Sequence, residues 1–380
     1  MSNRRKLLYL VSEDWYFVSH RIALASAARE AGFEVSVATR IQRHGDAIRD
    51  AGLKLIPIAF DRSGMHPLRE LSSIGALLSV YRSVAPDIVH NVAVKPVLYG
   101  SLAARLVGAK GVINALMGLG WVFTSDSTKA RLLRPAVSAA LRFALSPPNT
   151  RTIVQNADDA ALLADRRLAT PASIRLIRGS GVDPRQYLTE PPPRGDPLVV
   201  LPARLLVAKG VREFMEAASI LREEGVAARF ALVGEPDMAN PGAASREEIE
   251  RFVQTGHVEY WGWRSDMPRV LNEASIVCLP TFYGEGLPKC LLEAAASARA
   301  IVATDVPGCR EIVRPGKNGW LVPPRDVQAL VVALREAIVR PDLCARYGAA
   351  GRRMVECEFS LDAVIQQTLA AYDETVAARG

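Results

Sequence analysis

The chain is divided by a proline-rich stretch, Pro191-Pro192-Pro193-Arg194-Gly195-Asp196-Pro197. Three consecutive prolines cannot continue a helix or a central strand, because proline lacks a backbone N–H and fixes its φ angle. On both sides of the stretch, short apolar runs alternate with longer helical patterns. Strands that alternate with helices predict a parallel sheet with helices on both faces. The sequence therefore predicts an α/β protein of two domains, residues 1–190 and 198–357, joined by a linker at 191–197.

The predicted strands are short apolar runs that recur along both halves. In the first half they are 6–11, 34–39, 87–91, 111–115 and 151–154, with helices such as 21–31, 71–84 and 97–107 between them. In the second half they are 198–203, 229–233, 276–280 and 300–304, separated by helices such as 212–223, 288–298 and 327–339. Open parallel sheets bind ligands at the carboxyl ends of their strands. We therefore expect two Rossmann-like sheets that face each other across one cleft.

Length and composition agree with a folded protein of two domains. The 380 residues exceed what one hydrophobic core usually serves. No apolar run reaches the ~18 residues that a membrane helix needs. The basic start, Arg4-Arg5-Lys6, precedes an apolar run that Glu13 and Asp14 interrupt, which is more typical of a buried strand than of a signal peptide. We therefore expect a cytoplasmic protein.

Charge is distributed unevenly between the halves. Residues 1–190 hold 25 Lys and Arg against 15 Asp and Glu, a net charge of +10, which leaves 22 against 25, or −3, for residues 191–380. A basic first half indicates a partner that is anionic. Nucleic acid, a membrane surface and a phosphorylated substrate all satisfy that condition. Nucleic acid is the least favoured of the three, because the basic residues are scattered and no recognised nucleic-acid motif accompanies them.

The most informative segment for chemistry is 285–293, EGLPKCLLE, which follows a predicted strand and opens a predicted helix. Pro288 suits a first helical position, and the free amides of a helix start favour an anion. Gly286 permits close backbone approach. Glu293 lies about 7–8 Å deeper than Pro288, so Glu285 and Glu293 can serve different parts of one ligand. A surface glutamate on an ordinary amphipathic helix explains the segment equally well when it is taken alone.

A second segment supplies positive charge. Arg204 follows the predicted strand 198–203, and Lys209 begins the next helix. The two side chains can neutralise a diphosphate and stabilise it as a leaving group, with each charge-assisted hydrogen bond contributing about 1.5–3 kcal/mol. A solvated pair at a helix start would be the ordinary explanation of an isolated Arg-x4-Lys.

Several other motifs are missing from the sequence. There is no P-loop, and although Gly118 and Gly120 form a G-x-G after a strand, Phe123 stands where a dinucleotide fingerprint has its third glycine. There is no D-x-D, and no group of His, Cys and Asp has the spacing of metal ligands. We therefore expect neither a cofactor nor an obligatory metal.

Taken together, the motifs of the second half occur in a recognisable order. They are Leu201-Pro202-Ala203-Arg204, Lys209-Gly210, Val233-Gly234-Glu235, Gly262-Trp263-Arg264-Ser265-Asp266, Glu285 to Glu293, Ala303-Thr304-Asp305-Val306-Pro307-Gly308 and Asn318-Gly319. This order resembles family 4 glycosyltransferases of the GT-B fold, and two glutamates with seven residues between them are typical of retaining members. The resemblance covers nearly the whole chain.

The resemblance implies a role for each matching residue. Arg204 and Lys209 would hold the diphosphate of a UDP-linked nucleotide-sugar donor, together with the loop at Gly286 and Leu287. Glu285 would contact the transferred hexose or N-acetylhexosamine, and Glu293 the ribose hydroxyls. The backbone near Trp263 and Arg264 would hold the base. The resemblance also implies sugar transfer with retention and a C-terminal helix, 358–380, that crosses back to the first domain.

The first half is similar to a narrower group of these enzymes. The stretches 15–21, 94–96 with 99–100, and 118–120 resemble bacterial transferases that extend undecaprenyl-diphosphate-linked sugars in surface polysaccharide or glycan assembly. An acceptor linked to polyprenyl diphosphate, or a glycan, is implied. The chain departs from the family pattern at Met117, next to Gly118, where many members carry an active-site histidine. His20, His90 and Lys95 remain as polar candidates near the cleft.

Residues 128–145 form a basic and apolar stretch that contains no acidic residue. In a helix, Arg131, Arg134, Ser138 and Arg142 make one polar stripe. Basic amphipathic helices bind anionic membranes, and together with the resemblance this predicts a protein peripheral to the inner face of the cytoplasmic membrane. A helix packed on its own domain with solvated arginines is an equally good explanation.

Three other functions compete with the transferase. A nucleotide-sugar 2-epimerase shares the two-domain architecture, but it needs no acceptor, and the Arg-x4-Lys and Glu-x7-Glu set disfavours it. A non-enzymatic nucleotide-sugar sensor would leave Glu285 and the basic first half unexplained. A nucleic-acid binder rests on net charge alone.

Overall fold

A computed structural model describes residues 4–59, 67–124, 127–238 and 240–377. The chain forms two compact units, and the first comprises Met1–Ser180 together with Val364–Gly380. The second is Gly181–Ala363, so residues 181–190 group with the second unit and the division falls ahead of the proline-rich stretch. The chain therefore passes from one unit to the other twice.

The first unit is built on a seven-stranded, fully parallel sheet with the strand order β3-β2-β1-β4-β5-β6-β7. Its strands are β1 Lys6–Glu13, β2 Glu34–Arg40, β3 Lys54–Pro57, β4 Ile88–Val92, β5 Gly111–Leu116, β6 Thr150–Val154 and β7 Ile174–Leu176. Its helices are α1 Asp14–His20, α2 Ile22–Glu30, α3 Gly45–Asp50, α4 Pro67–Val84, α5 Val94–Val107, α6 Trp121–Thr124, α7 Thr128–Leu145 and α8 Ala157–Asp165.

The second unit repeats this architecture with six parallel strands in the order β10-β9-β8-β11-β12-β13. The strands are β8 Leu198–Pro202, β9 Arg229–Val233, β10 Glu259–Gly262, β11 Ile276–Leu279, β12 Ala300–Thr304 and β13 Gly319–Val322. The helices are α9 Val211–Glu223, α10 Arg246–Gln254, α11 Met267–Glu273, α12 Lys289–Ala296, α13 Pro307–Ile312, α14 Val327–Val339 and α15 Pro341–Glu358, and α16 Leu361–Ala377 follows.

Both sheets are covered on their two faces, which explains their apolar strands. Successive residues of a strand point to opposite faces. In β1, Leu7 and Tyr9 enter the core on one side of the sheet, and Leu8 and Leu10 enter the core on the other. Parallel strands buried on both faces become continuous apolar runs, as the sequence predicted. The predicted α/β fold with two Rossmann-like sheets is confirmed.

The C-terminal helix α16 packs into the first unit. Tyr372 is fully buried there, and its hydroxyl lies 2.7 Å from both Tyr9 Oη and His90 Nδ1. Glu374 forms ion pairs with Arg151 and Arg175 of β6 and β7. The last residues of the chain thus complete a core that the first residues begin.

Candidate active site

The site in the second unit lies where β8 and β11 end side by side. After β8 the chain makes a short 3₁₀ turn, Val207–Lys209, and after β11 it makes the loop that leads to α12. Because β8 and β11 are parallel neighbours, both segments start from the same edge of the sheet. The structure joins them through an ion pair between Lys209 Nζ and Glu285 Oε1, both largely buried.

Thr281 positions Glu285 and was not among the residues predicted from the sequence. Its Oγ1 lies 3.2 Å from Glu285 Oε1 and 3.0 Å from the carbonyl oxygen of Ala208. Its own carbonyl accepts a hydrogen bond from Thr304 Oγ1. Thr281 is fully buried and ties together the turn, the loop and β12. Only its place just after a strand end marked it in the sequence.

Two glycines allow helix starts to press against this loop. Gly210 has a φ of +78°, and a Cβ there would lie 2.1 Å from the carbonyl oxygen of Pro280. At Gly308 a Cβ would lie 2.2 Å from the carbonyl oxygen of Gly286. Any larger residue would push α9 or α13 away. The backbone around Glu285 is therefore held between two helices, and Leu287 anchors it in the core.

Glu293 lies one turn into α12 and is buried. Lys289 Nζ is 3.4 Å from its Oε1, and Tyr187 contacts it by a side-chain hydrogen bond. Burial raises the pKa of Tyr187, and the negative charge of Glu293 raises it further, so the phenol stays protonated and can donate. The sequence predicted Glu293 but gave no indication of Tyr187, which approaches from a distant segment.

Arg204 has a partner that the sequence did not suggest. Its Nη1 lies 2.7 Å from Oδ2 of Asp237, in the loop after β9. Gly234, with a φ of +147°, lets that loop approach closely, since a Cβ there would lie 1.9 Å from the carbonyl oxygen of Ala203. Both predicted cations of the site are therefore held by carboxylates, Lys209 by Glu285 and Arg204 by Asp237.

Trp263 and Arg264 follow β10, at the edge of the same sheet. Trp263 is 63% exposed, which leaves its ring on the surface. Arg264 makes two hydrogen bonds to Asp266, of 2.7 and 2.6 Å, and these lower the pKa of Asp266 to about 2. The Gly262 carbonyl accepts the Gly234 N–H at 2.8 Å, so the β9 and β10 loops are joined.

The sequence suggested His90 as a polar candidate near the cleft. The structure instead buries it in the core of the first unit. It is buried in β4, stacked on Tyr9 with ring centroids 4.8 Å apart and bonded to Tyr372. The pKa of His90 lies well below its usual value, mainly because the ring is buried and also because Arg21 is positively charged. His90 is therefore a neutral core residue, because the middle of a central strand faces packed helices rather than solvent.

The other candidates of the first unit lie at the carboxyl edge of its sheet. His20 ends α1 and stacks on Tyr16 with centroids 4.2 Å apart. Lys95 is in the first turn of α5, after β4, with Nζ 5.8 Å from the Tyr99 ring. Met117 and Gly118 follow β5, and Met117 Sδ lies 2.7 Å from Nη2 of Arg21. In the part of the chain that the structure describes, no three His, Cys, Asp or Glu side chains are grouped to hold a metal ion.

Comparison with known proteins agrees with this architecture. Residues 196–339 match the model for glycosyl transferases group 1, and residues 6–154 match the model for glycosyl transferase 4-like domains. Sucrose-phosphate synthase from Thermosynechococcus elongatus superposes with a TM-score of 0.80 at 20% identity, covering 99% of this chain and 100% of that one. Anabaena HepE in complex with UDP and glucose superposes with a TM-score of 0.78 at 17% identity, covering 97% and 99%.

Two enzymes are similar in sequence over most of their length. The N,N'-diacetylbacillosaminyl-diphospho-undecaprenol alpha-1,3-N-acetylgalactosaminyltransferase of Campylobacter jejuni is 29% identical over 79% of this chain and 80% of its own. The UDP-Gal:alpha-D-GlcNAc-diphosphoundecaprenol alpha-1,3-galactosyltransferase of Escherichia coli is 24% identical over 70% of both. With two parallel α/β units and these matches, the protein is a glycosyltransferase of the GT-B fold. It belongs to the group 1, family 4-like glycosyltransferases.

Proposed function

We propose that this glycosyltransferase moves a hexose or N-acetylhexosamine from a nucleotide-sugar, UDP-linked, to an acceptor carried on polyprenyl diphosphate or to a glycan. The setting is the assembly of bacterial surface polysaccharide or glycan, and transfer retains the anomeric configuration. The main observation in favour of this proposal is the Lys209–Glu285 ion pair beside the start of α12. The similar enzymes of Campylobacter jejuni and Escherichia coli, whose names specify undecaprenol-linked acceptors, support the choice of acceptor.

The ion pair between Lys209 and Glu285 suggests that the donor diphosphate replaces Glu285 as the partner of Lys209. Before the donor binds, Glu285 holds Lys209 in place. A diphosphate that arrives at the starts of α9 and α12 faces the positive ends of two helix dipoles and competes with Glu285 for the Lys209 ammonium. Lys209 then neutralises the leaving diphosphate, and Glu285 is released to face the sugar. Thr281 keeps the released carboxylate near its position.

The remaining parts of the donor are assigned to the other residues of the site. Glu293 is a buried carboxylate with spare acceptor capacity, which suits the two hydroxyls of a ribose. The backbone at Trp263 and Arg264 is assigned to the base. Because Arg204 and Lys209 supply positive charge, the reaction needs no metal and no other cofactor; complete loss of activity in EDTA that added metal restores would contradict this assignment.

Donor binding tests the proposal most directly. We expect Lys209→Ala and Arg204→Ala each to weaken UDP binding by about tenfold or more, because one charged hydrogen bond contributes about 1.5–3 kcal/mol. The measurement is calorimetric titration with UDP. Arg212→Ala is the matched control, since Arg212 pairs with Glu248 on the exposed side of α9. Unchanged affinity in both site variants would place the diphosphate elsewhere, and a new nucleotide-sugar made without acceptor would indicate an epimerase.

The structure also changes the membrane hypothesis for α7. Arg134 Nε donates to the Val122 carbonyl at 3.0 Å, and Arg142 Nε donates to the Arg167 carbonyl at 3.0 Å. Those two arginines are therefore tied to the protein rather than arranged as one free stripe. Leu132 and Phe143 are instead 76% and 47% exposed. Along α7 they form one row with the exposed residues Pro135, Ala136, Ala139 and Ala140.

This exposed apolar row has basic neighbours, and α5 beside it carries a further exposed leucine. Leu106 of α5 is 62% exposed, Arg105 lies 4.8 Å over the Phe143 ring, and Lys129 and Arg131 are exposed. Apolar side chains flanked by cations are typical of helices that lie in the surface of an anionic bilayer, where each cation contributes about 1 kcal/mol. We assign this surface to the inner face of the cytoplasmic membrane. None of the described helices is long and apolar enough to cross a bilayer.

A further inference from the structure

Arg21 is a buried cation, and no carboxylate in the described part of the chain forms an ion pair with it. It connects α1 to α2, is only 4% exposed, and directs Nη2 to Met117 Sδ at 2.7 Å. Its Nε has no hydrogen-bond partner among the described residues, and none of their carboxylates lies within ion-pair distance of it. An arginine cannot escape this situation by losing its proton. A thioether is a weak acceptor, so Met117 satisfies the guanidinium poorly.

Three described groups feel the charge of Arg21, namely His90, Tyr9 and Tyr372, and none of them supplies a negative charge. His90 is neutral, because burial and the charge of Arg21 both lower its pKa. Tyr9 and Tyr372 keep their protons, because burial raises the pKa of each phenol and Arg21 offsets only part of that rise. These three groups therefore leave the positive charge of Arg21 uncompensated.

The position of Arg21 is one where open α/β sheets bind ligands. Arg21 follows β1 through the short helix α1, and Met117 follows β5 directly, with β4 between the two strands. The order of strands reverses between β1 and β4, and ligands of such sheets bind at the carboxyl ends of the strands near that point. Gly118, with a φ of +92°, turns the backbone immediately after Met117.

We propose that Arg21 binds a phosphate or diphosphate group of the acceptor substrate, which displaces Met117 Sδ from Nη2. The planar guanidinium matches two phosphate oxygens at once, and the flexible methionine can move aside. This proposal rests on the proposed function for the identity of the acceptor. The binding of an anion at Arg21 does not depend on it. The same chemistry could come from the donor, so the experiment separates the two sources.

The test uses the full chain and inorganic pyrophosphate as the probe. In a Lys209→Ala background, which weakens the donor site, we expect Arg21→Met to reduce pyrophosphate affinity about tenfold or more by calorimetry. In the otherwise unchanged chain, Arg21→Met should leave UDP affinity as it is and raise KM for a polyprenyl-diphosphate-linked acceptor about tenfold, with Arg21→Lys in between. Failure of UDP to bind the unaltered chain would count against the proposed function and not against Arg21.

Two results would overturn the assignment. Loss of UDP affinity in Arg21→Met would show that Arg21 binds the donor diphosphate and not the acceptor. Unchanged pyrophosphate affinity would show that Arg21 does not bind an anion. Met117→Leu keeps the proposal testable if Arg21→Met does not fold, because leucine fills the same space without accepting a hydrogen bond. That variant frees Nη2, so it should bind pyrophosphate more tightly than the parent, and weaker binding would contradict the exchange.

Discussion

The Glu285 carboxylate is held by two neighbours, the Lys209 ammonium and the Thr281 hydroxyl. Glu285→Gln keeps the size of the side chain and an acceptor for Thr281 but removes the charge. We expect a stable fold and a turnover lower by about 100-fold or more, since charge that is aimed at a reacting centre contributes on this scale. The measurement is kcat together with the melting temperature. Glu248→Gln, in the exposed pair with Arg212, is the control, and wild-type turnover in folded Glu285→Gln would remove Glu285 from the site.

Asp14 makes a second prediction at the scale of one residue. Its Oδ2 accepts the backbone N–H groups of Gln42, Arg43 and His44 at 2.7, 3.0 and 2.8 Å, and Oδ1 accepts that of Trp15. Burial alone would raise the pKa of Asp14, but these four hydrogen bonds together outweigh burial and lower it.

A lowered pKa in the folded state makes the free energy of unfolding depend on pH. The stabilisation from Asp14 is present above the pKa of an unfolded aspartate, about 3.9, and is lost as pH falls below that value. Asp14→Asn should therefore lower the melting temperature by several degrees at pH 7 and by progressively less toward pH 3. A difference that stays constant over this range would show that shape, rather than charge, makes Asp14 important.

At the scale of elements, the central strands were predictable because both faces are buried. Every strand predicted from an apolar run is present, whereas β3, β7, β10 and β13 were not predicted. All four are edge strands of the two sheets. An edge strand contacts only one neighbour, so its sequence carries a weaker apolar run.

The candidate site was predictable only in part, for a related reason. Glu285, Glu293, Arg204 and Lys209 lie in local motifs that follow strand ends, and these motifs are readable in the sequence. Their partners Tyr187 and Asp237 come from distant segments that only the folded chain brings close. The position of His90 was not predicted correctly, because the sequence does not distinguish a histidine inside a buried strand from one at the end of that strand.

Helix α7 carries a prediction of its own. The double variant Leu132→Ser, Phe143→Ser removes the largest apolar side chains from its exposed row. We expect it to lose most binding to anionic liposomes at low salt, measured by co-sedimentation, because those side chains enter the bilayer surface. The matched control is Val332→Ser, Val339→Ser, two exposed apolar residues of α14. If the double variant binds like wild type, or wild type prefers neutral liposomes, α7 is not the membrane contact.

At the scale of the whole molecule, the first unit is made of two separate parts of the chain. Truncation after Ser360 removes α16 and with it Tyr372, whose hydroxyl bonds to Tyr9 and His90. We expect hydrogen exchange to become fast in β1, β4 and β5 while β8 and β11 remain protected, since only the first core is opened. A chain that ends at Ala377 is the control. Equal protection of both sheets in the truncated chain would mean that α16 is dispensable.

Helix α16 follows the second unit along the chain, and this order has a consequence for how the protein is made. The ribosome releases the strands of the first sheet early, but Tyr372 and Glu374 of α16 emerge only after the whole of the second unit. The second unit, Gly181–Ala363, is contiguous and complete before that point. On the nascent chain, the core of the first unit therefore stays open until α16 follows the second unit out of the ribosome.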